Sequence, residues 1–311
     1  MVDRLAVLLE RFSVTAQVFH AGALCGINTL EPEGDLGQLH LVRAGPVEVF
    51  HGDAALRIEA PSLLLYPRPM AHRFVTDPVR GADMACANVR FEGGAGNPIA
   101  AALPAFACLP LEAVDGASPV LGLLFDEAFA QRCGRYALVN RLFEAVMILI
   151  LRQLMENGDV RSGMLAGLSH PRLRNALVAM HEAPAKAWTL EDLAAAAGMS
   201  RSVFANAFRE TVGITPGQYL QGWRVGLAQH ALRRGRPLKV VAADVGYGSE
   251  AALSRAFKAQ IGLSPREWKR AQAVSPGKAV GAVRDIGIAS AALRSGGIVP
   301  RPQGAADAGR R

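Results

Sequence analysis

The chain has no apolar run of the roughly 18 residues that a membrane-spanning helix needs. Its most apolar stretch, 146–151, is far shorter and sits inside an amphipathic segment. There is no Gly-rich phosphate loop, zincin motif or nucleophile elbow, which removes the commonest sequence signatures of enzymes. Cysteine is scarce. Cys25, Cys86, Cys108 and Cys133 are the only four in 311 residues, and none makes a C-x-x-C pair. That is too few for a disulfide framework and fits a reducing cytoplasm. The opening M-V-D-R-L-A-V-L-L-E-R-F has acids within its apolar part and no small-residue cleavage site, so it does not read as a signal peptide. The expectation is a cytoplasmic protein that is not an enzyme and has no membrane partner.

Charge is present but unevenly spread. Residues 1–184 hold 15 Lys/Arg against 19 Asp/Glu, residues 185–272 hold 13 against 6, and residues 273–311 hold 6 against 2. An acidic front and a basic back imply two jobs, with a polyanion as the partner of the back. Half of the chain is apolar, enough for the cores of two domains.

Along the front, 14–91 is short-period and turn-rich. V-E-V-F-H-G-D-A-A-L-R-I-E alternates apolar and polar residues around Gly52-Asp53, the pattern of a hairpin. L-L-L-Y-P-R-P-M-A-H-R-F reads as an apolar strand ending in a proline-bounded loop. Strands at this spacing suggest a sandwich or a small barrel. After Pro119 the period becomes helical, with one helix over 120–132 and another over 136–158. On the second, Phe143, Val146, Ile150 and Leu154 form a stripe that serves either a homodimer interface or packing on the barrel. Beyond Ala273 the composition turns to Gly, Ala, Pro and Arg without periodicity, as in a disordered basic tail.

The back contains an internal repeat. Residues 194–216 and 242–265 align so that Phe208 and Phe257, Gly213 and Gly262, and Pro216 and Pro265 are each 49 apart. Each copy reads as a short helix, a glycine turn, a serine suited to cap the next helix, and a second helix stopped by glycine. That is a helix-turn-helix, with polar residues left on the outer face of its second helix. Between the copies, 216–235 reads as one helix of about 18 residues, about 27 Å long at 1.5 Å per residue. Successive major-groove faces lie about 34 Å apart, so such a helix can hold two recognition helices one turn apart on slightly bent double-stranded DNA.

From Trp188 to Arg270 the chain resembles the DNA-binding domain of AraC/XylS-type transcriptional regulators. The resemblance rests on W-T-L-E-D-L-A, G-M-S-R-S-V-F-A-N-A-F-R, Q-Y-L-Q-G-W-R, A-D-V-G-Y-G-S-E-A-A-L-S-R-A-F-K and G-L-S-P-R-E-W-K-R. It implies base-facing positions at Arg201, Ser202, Ala205 and Asn206 in the first motif. In the second it implies Glu250, Ala251, Ser254 and Arg255, with Arg209 and Lys258 as phosphate partners. RNA polymerase is the protein partner it implies, as for an activator. By chemistry, Arg255 suits guanine, Asn206 adenine and Glu250 the cytosine amino group, although Glu250 equally suits the positive end of its helix.

The front half resembles the cupin-type sensor domain common in such regulators, through V-R-A-G-P-V-E-V-F-H-G-D-A-A-L-R-I-E-A and L-L-L-Y-P-R-P-M-A-H-R-F. The resemblance puts His72 at the last metal histidine, with Pro69 where glycine is usual, and Glu48 near the carboxylate. His40 lacks a second histidine two residues on, so the divalent ligand set is incomplete. A front domain that binds a small effector, or nothing, is expected. A soft metal ion or a thiol redox centre built from Cys25, His40, His72 and Cys86 is the sharper option, set against buried cysteines that are merely small hydrophobes.

The expected fold is α+β in two domains. A cupin-like effector barrel spans 1–118, and helices with a possible dimer face span 119–158. After a linker at 159–169, a tandem helix-turn-helix domain spans 170–272, and the basic tail is 273–311. The alternative function is a cupin-type metalloenzyme fused to a DNA-targeting module.

Overall fold

A computed structural model describes residues 3–94, 97–157 and 162–274. The expected tail beyond 274, the last residue of the expected helical segment at 158, and 159–161 of the expected linker lie outside the described residues. A short helix, α1 (Ala6–Arg11), precedes nine strands: β1 (Val14–Leu24), β2 (Ile27–Leu30), β3 (Gly37–Ala44), β4 (Val47–His51), β5 (Ala54–Ile58), β6 (Ser62–Tyr66), β7 (His72–Val75), β8 (Ala82–Phe91) and β9 (Ala107–Pro110). Helix α2 (Pro98–Ala102) lies before β9, and α3 (Ala117–Phe129) and α4 (Arg135–Glu156) follow it.

The strands form two antiparallel sheets, β1-β8-β3-β6-β9 and β2-β7-β4-β5. They stack as a sandwich, one of the two arrangements that the strand spacing allowed; the closed barrel implied by the cupin resemblance is not formed. Closure depends on which edge strands pair, and spacing along the chain carries no information on that. The hairpin around Gly52-Asp53 is present as β4 and β5, with Gly52 at φ 57°.

The five-stranded sheet is covered on both faces. Leu39, Leu41, Leu63, Leu65, Ala85 and Ala87 pack with the helices, while Val42, Leu64, Tyr66, Met84, Cys86 and Cys108 pack with the second sheet. A strand buried on both sides has no solvent face to alternate with. Hence β6 is the unbroken S-L-L-L-Y, buried at every position.

Helix α4 does two things. Phe143, Val146, Ile150 and Leu154 are all fully buried in this chain's own core. That stripe is therefore packing, and the reading of it as a dimer face is corrected: periodicity shows that a face is apolar and not what covers it. Across the same helix, Asn140 Oδ1 accepts from Val18 N–H at 2.8 Å and Glu144 Oε1 from Ala16 N–H at 3.2 Å. Four residues of helix rise about 6 Å, close to the about 6.7 Å of two strand residues. The carboxylate and amide thus step in time with alternate N–H groups of β1, and the open sheet edge is blunted.

The back is all helical: α5 (Met164–Ser169), α6 (Leu173–Glu182), α7 (Leu190–Ala196), α8 (Arg201–Val212), α9 (Pro216–Arg233), α10 (Leu238–Asp244), α11 (Glu250–Ile261) and α12 (Pro265–Val274). The stretch expected to be linker carries α5, whose Met164, Leu165 and Leu168 are buried. One apolar cluster runs without interruption from Leu5 to Trp268, so the two halves share a core. At the seam, the buried Phe12 ring stands edge-on to Trp223 at 5.4 Å and to His230 at 5.7 Å. Replacing Phe12 by alanine is expected to cost about 3–5 kcal/mol, the range for truncating a buried aromatic. Urea denaturation checks this, and a loss below about 1 kcal/mol would show that the seam is not part of the cooperative core.

Candidate functional site

The 49-residue repeat is a structural repeat. The first unit is α7, a turn with Gly198 at φ 62°, and α8. The second is α10, a turn with Gly246 at φ 86°, and α11. A Cβ on Gly246 would stand 2.6 Å from the Ala185 Cα, so at this turn only glycine fits both the backbone angle and the neighbour. Ser249 caps α11 by accepting from Ala252 N–H, whereas Ser200 makes no side-chain cap to α8. Both second helices end at a left-handed glycine, Gly213 and Gly262. The repeat then runs further than the glycines suggested. Thr215 with Gln218, and Ser264 with Glu267, form reciprocal capping bonds that start α9 and α12. Phe208 against Tyr219 and Phe257 against Trp268 are matching edge-on pairs, at 5.7 and 5.6 Å.

These aromatic anchors fix the rotation of α8 and α11. Phe204, Phe208 and Val212, and Leu253, Phe257 and Ile261, face inward. Arg201, Ser202, Asn206 and Arg209 are therefore exposed, as are Glu250, Ala251, Arg255 and Lys258, while Ala205 and Ser254 are half-buried beside them. Every residue expected at the interface lies on the outer side of one of these two helices. Each in α8 has its counterpart in α11 49 residues on. Arg201 is bonded to Glu191 of α7 at 2.9 Å, whereas among the described residues no carboxylate stands within 4.0 Å of Arg209, Arg255 or Lys258. A cavity of about 380 Å³ between α7, α8 and the start of α9 is bordered by Ala205, Asn206, Arg209 and Trp188. Helix α9 joins the units as one helix of 18 residues, as the sequence implied.

Sequence reasoning missed the contact between α9 and the front half. Trp223, His230 and Arg233 lie on one side of α9, at i, i+7 and i+10. His230 Nδ1 is 3.6 Å from Glu92 Oε1, and Ser13 Oγ donates to the other Glu92 oxygen at 2.8 Å. Arg233 has Asp35 and Glu92 nearby and lies 4.9 Å above the Trp268 ring. Behind Trp223, His181 Nε2 and Tyr219 Oη are hydrogen-bonded at 2.6 Å, and burial pushes His181 down to about 3. The only trace in the sequence was the set of polar residues spaced along one side of a long helix.

In the front half, the structure brings His40, His72 and Cys86 together and leaves Cys25 apart. His40 on β3 pairs in register with Cys86 on β8. His72 approaches from the other sheet, its Nε2 3.0 Å from His40 Nε2. Cys25 is exposed in the turn after β1, with Sγ 3.8 Å from the Val79 carbonyl. Cys86 pairs with His20 further up that strand, so about five residues, roughly 16 Å, separate the two thiols. A redox pair of Cys25 and Cys86 is not assembled. Burial also drives the Cys86 thiol strongly up, away from the reactive thiolate. Glu48 lies between the inward-facing Val47 and Val49 and pairs with Arg57 at 3.5 Å. It points away from the histidines. Among the described residues no group of three or more His, Cys, Asp or Glu can hold a metal, so the divalent set of metal-binding cupins is not met.

Three histidines are thus held neutral by burial: His40 well below its ordinary range, His72 at about 4 and His181 at about 3. The unfolded chain takes up these protons near pH 6.5, and the native chain does not until much lower pH. Stability is full above about pH 6.5 and falls as pH drops toward 4. From pH 7.5 to 5.5 the loss expected for three such groups is about 4 kcal/mol. Urea midpoints at the two pH values measure it, and equal midpoints would contradict the burial of these rings.

Residues 3–156 match the family model described as Cupin, and residues 193–271 match that described as Helix-turn-helix domain. A protein of Streptomyces antibioticus named as an AraC-like transcription regulator is 44% identical over 133 residues, 42% of this chain and 44% of that protein. The HTH-type transcriptional regulator AlkR of Acinetobacter baylyi is 36% identical over 181 residues, 56% of this chain and 59% of that protein. Among solved structures, the DNA-binding domain of AdpA, crystallised with a target DNA, is 32% identical. The match covers 35% of this chain and 100% of that one, with a TM-score of 0.33. The chain spans about half the length of the curated relatives it matches.

Proposed function

We propose that this chain, which belongs to the AraC-type transcriptional regulators, binds double-stranded DNA by placing α8 and α11 in successive major grooves while its front domain receives a chemical signal. The observation that carries the reading is the repeat. Two helices, each held by the same aromatic anchor, present five matched outward positions at a constant offset, on the half of the chain whose charge is strongly positive. A solvated basic surface has no need of that duplication. The relatives carry the names of regulators, which favours this reading over a metalloenzyme fused to a DNA-targeting module.

The two recognition helices divide the work. In α11, Arg255 has no carboxylate partner among the described residues and has the planar fork that reads guanine. Lys258, one turn on, neutralises a phosphate. In α8, Ser202 and Ala205 are small and Arg201 is engaged by Glu191. That helix reads through Asn206, with DNA shape supplying the rest. Glu250 sits in the first turn of α11, where the helix dipole favours an acid whether or not a base is present. RNA polymerase is the protein partner by family, in the cytoplasm, with activation as the regulatory sense.

Gel shifts over a panel of operator variants test this. Arg255→Ala is expected to remove preference at one base pair, at a cost of about 1–3 kcal/mol on the best site. Lys258→Ala is expected to weaken all sequences alike and to lower the salt dependence by about one counterion. Unchanged sequence preference for Arg255→Ala would sink the assignment.

The homodimer expected from the sequence needs a face other than the buried stripe of α4. Leu123 in the middle of α3, and Tyr136 and Leu138 in the first turn of α4, are exposed by 45%, 61% and 40%. Light scattering of Leu138→Glu is expected to read one chain where the parent reads two; a parent already monomeric at micromolar concentration ends this reading.

A further inference from the structure

The interior of the sandwich holds a cluster that packing alone does not explain. His40 and His72 are buried to 0% and 3% exposure and meet across the two sheets. The Met70 carbonyl, 2.9 Å from His72 Nδ1, only accepts, so that nitrogen carries the proton and Nε2 of His72 is a bare lone pair. His40 must then donate from Nε2. Its Nδ1 is left as an acceptor, fully buried and with no hydrogen-bond partner. An orphan of this kind costs about 1–3 kcal/mol, and two apolar side chains would fill the same space without it.

Around the pair the donors are soft. Cys86 lies beside His40 in register, and Met84 lies two residues along β8 in the same buried cluster. Tyr66 stacks on His72 at 4.1 Å and Phe74 stands edge-on to both rings, so water is kept out. Among the described residues no carboxylate joins them in a metal-binding group. A dication would bring four times the Born cost of a monocation, with no anion to offset it. Zinc would also lack the four ligands of its tetrahedral sites.

We propose that His40 and His72 bind one soft monovalent cation, copper(I), between their two Nε2 atoms, with the Cys86 thiol and the Met84 thioether beside it. Two nitrogen bonds of about 2 Å each require the rings to part from 3.0 Å to about 4 Å, a small rotation of each imidazole. The proton on His40 Nε2 moves to the unpartnered Nδ1, so the ion enters and no proton leaves the protein. Both ligands stay neutral and the Cys86 thiol keeps its hydrogen. The inference rests on the reading of the front domain as the receiver of a signal, and names that signal's chemical class.

The test uses the full chain with Cys25→Ser and Cys133→Ser, which removes the two exposed thiols. Copper(I) is titrated anaerobically against a chromophoric copper(I) chelator, and in calorimetry in two buffers of different ionisation heat. One equivalent is expected, bound without proton release. It is expected to weaken at least about a hundredfold in His72→Leu and in His40→Gln, with zinc(II) failing to compete. The two substitutions differ in size and polarity, and the melting of each variant without copper shows whether it is folded. No bound copper, affinity unchanged in both folded variants, or a proton released per ion overturns the proposal. Operator binding of the same protein without copper is measured alongside, so failure of the copper site and failure of the DNA-binding reading are told apart.

Discussion

The contact of Phe12 with one side of α9 is the constraint around which the chain is arranged. Helix α9 sets the separation of the two recognition helices, and on that helix Trp223, His230 and Arg233 are occupied by the front half. Aromatic packing supplies the attraction, and Glu92 supplies a polar fixture at its rim. A ruler held along its length cannot bend freely. The surface of α8 and α11 proposed to read DNA is therefore braced through α9 by the front half.

The repeat was legible because each of its parts is local. A turn glycine, a serine suited to cap the next helix, and an apolar residue every fourth position all speak of their immediate surroundings. The duplication then filters out chance matches. Even so, the sequence did not show that Tyr219 and Trp268 fill equivalent places, because the two rings are different residues doing the same packing.

What stayed hidden was non-local. The strand spacing fitted barrel and sandwich alike. The apolar stripe of α4 was correctly located, but its cover is the chain's own sheet. The cysteines illustrate the same limit. Cys25 and Cys86 both fall on or near strands of one sheet, yet the antiparallel register of β1 and β8 sets them at different heights. His40 and His72 were noticed one by one as fragments of a degraded motif. Their contact depends on how two sheets stack, and stacking is decided by the whole core.

The side chains that α4 lends to the edge of β1 also limit how the molecule can move. Asn140 and Glu144 are bonded to backbone N–H groups that have no other partner on that side. Lifting α4 would strip two amides at once and uncover the helix's own buried stripe. The helix is in effect a wall and not a door. The strand β8, which carries Cys86 in the sandwich interior, instead leads directly to Glu92 just beyond its end, 3.6 Å from His230 of α9.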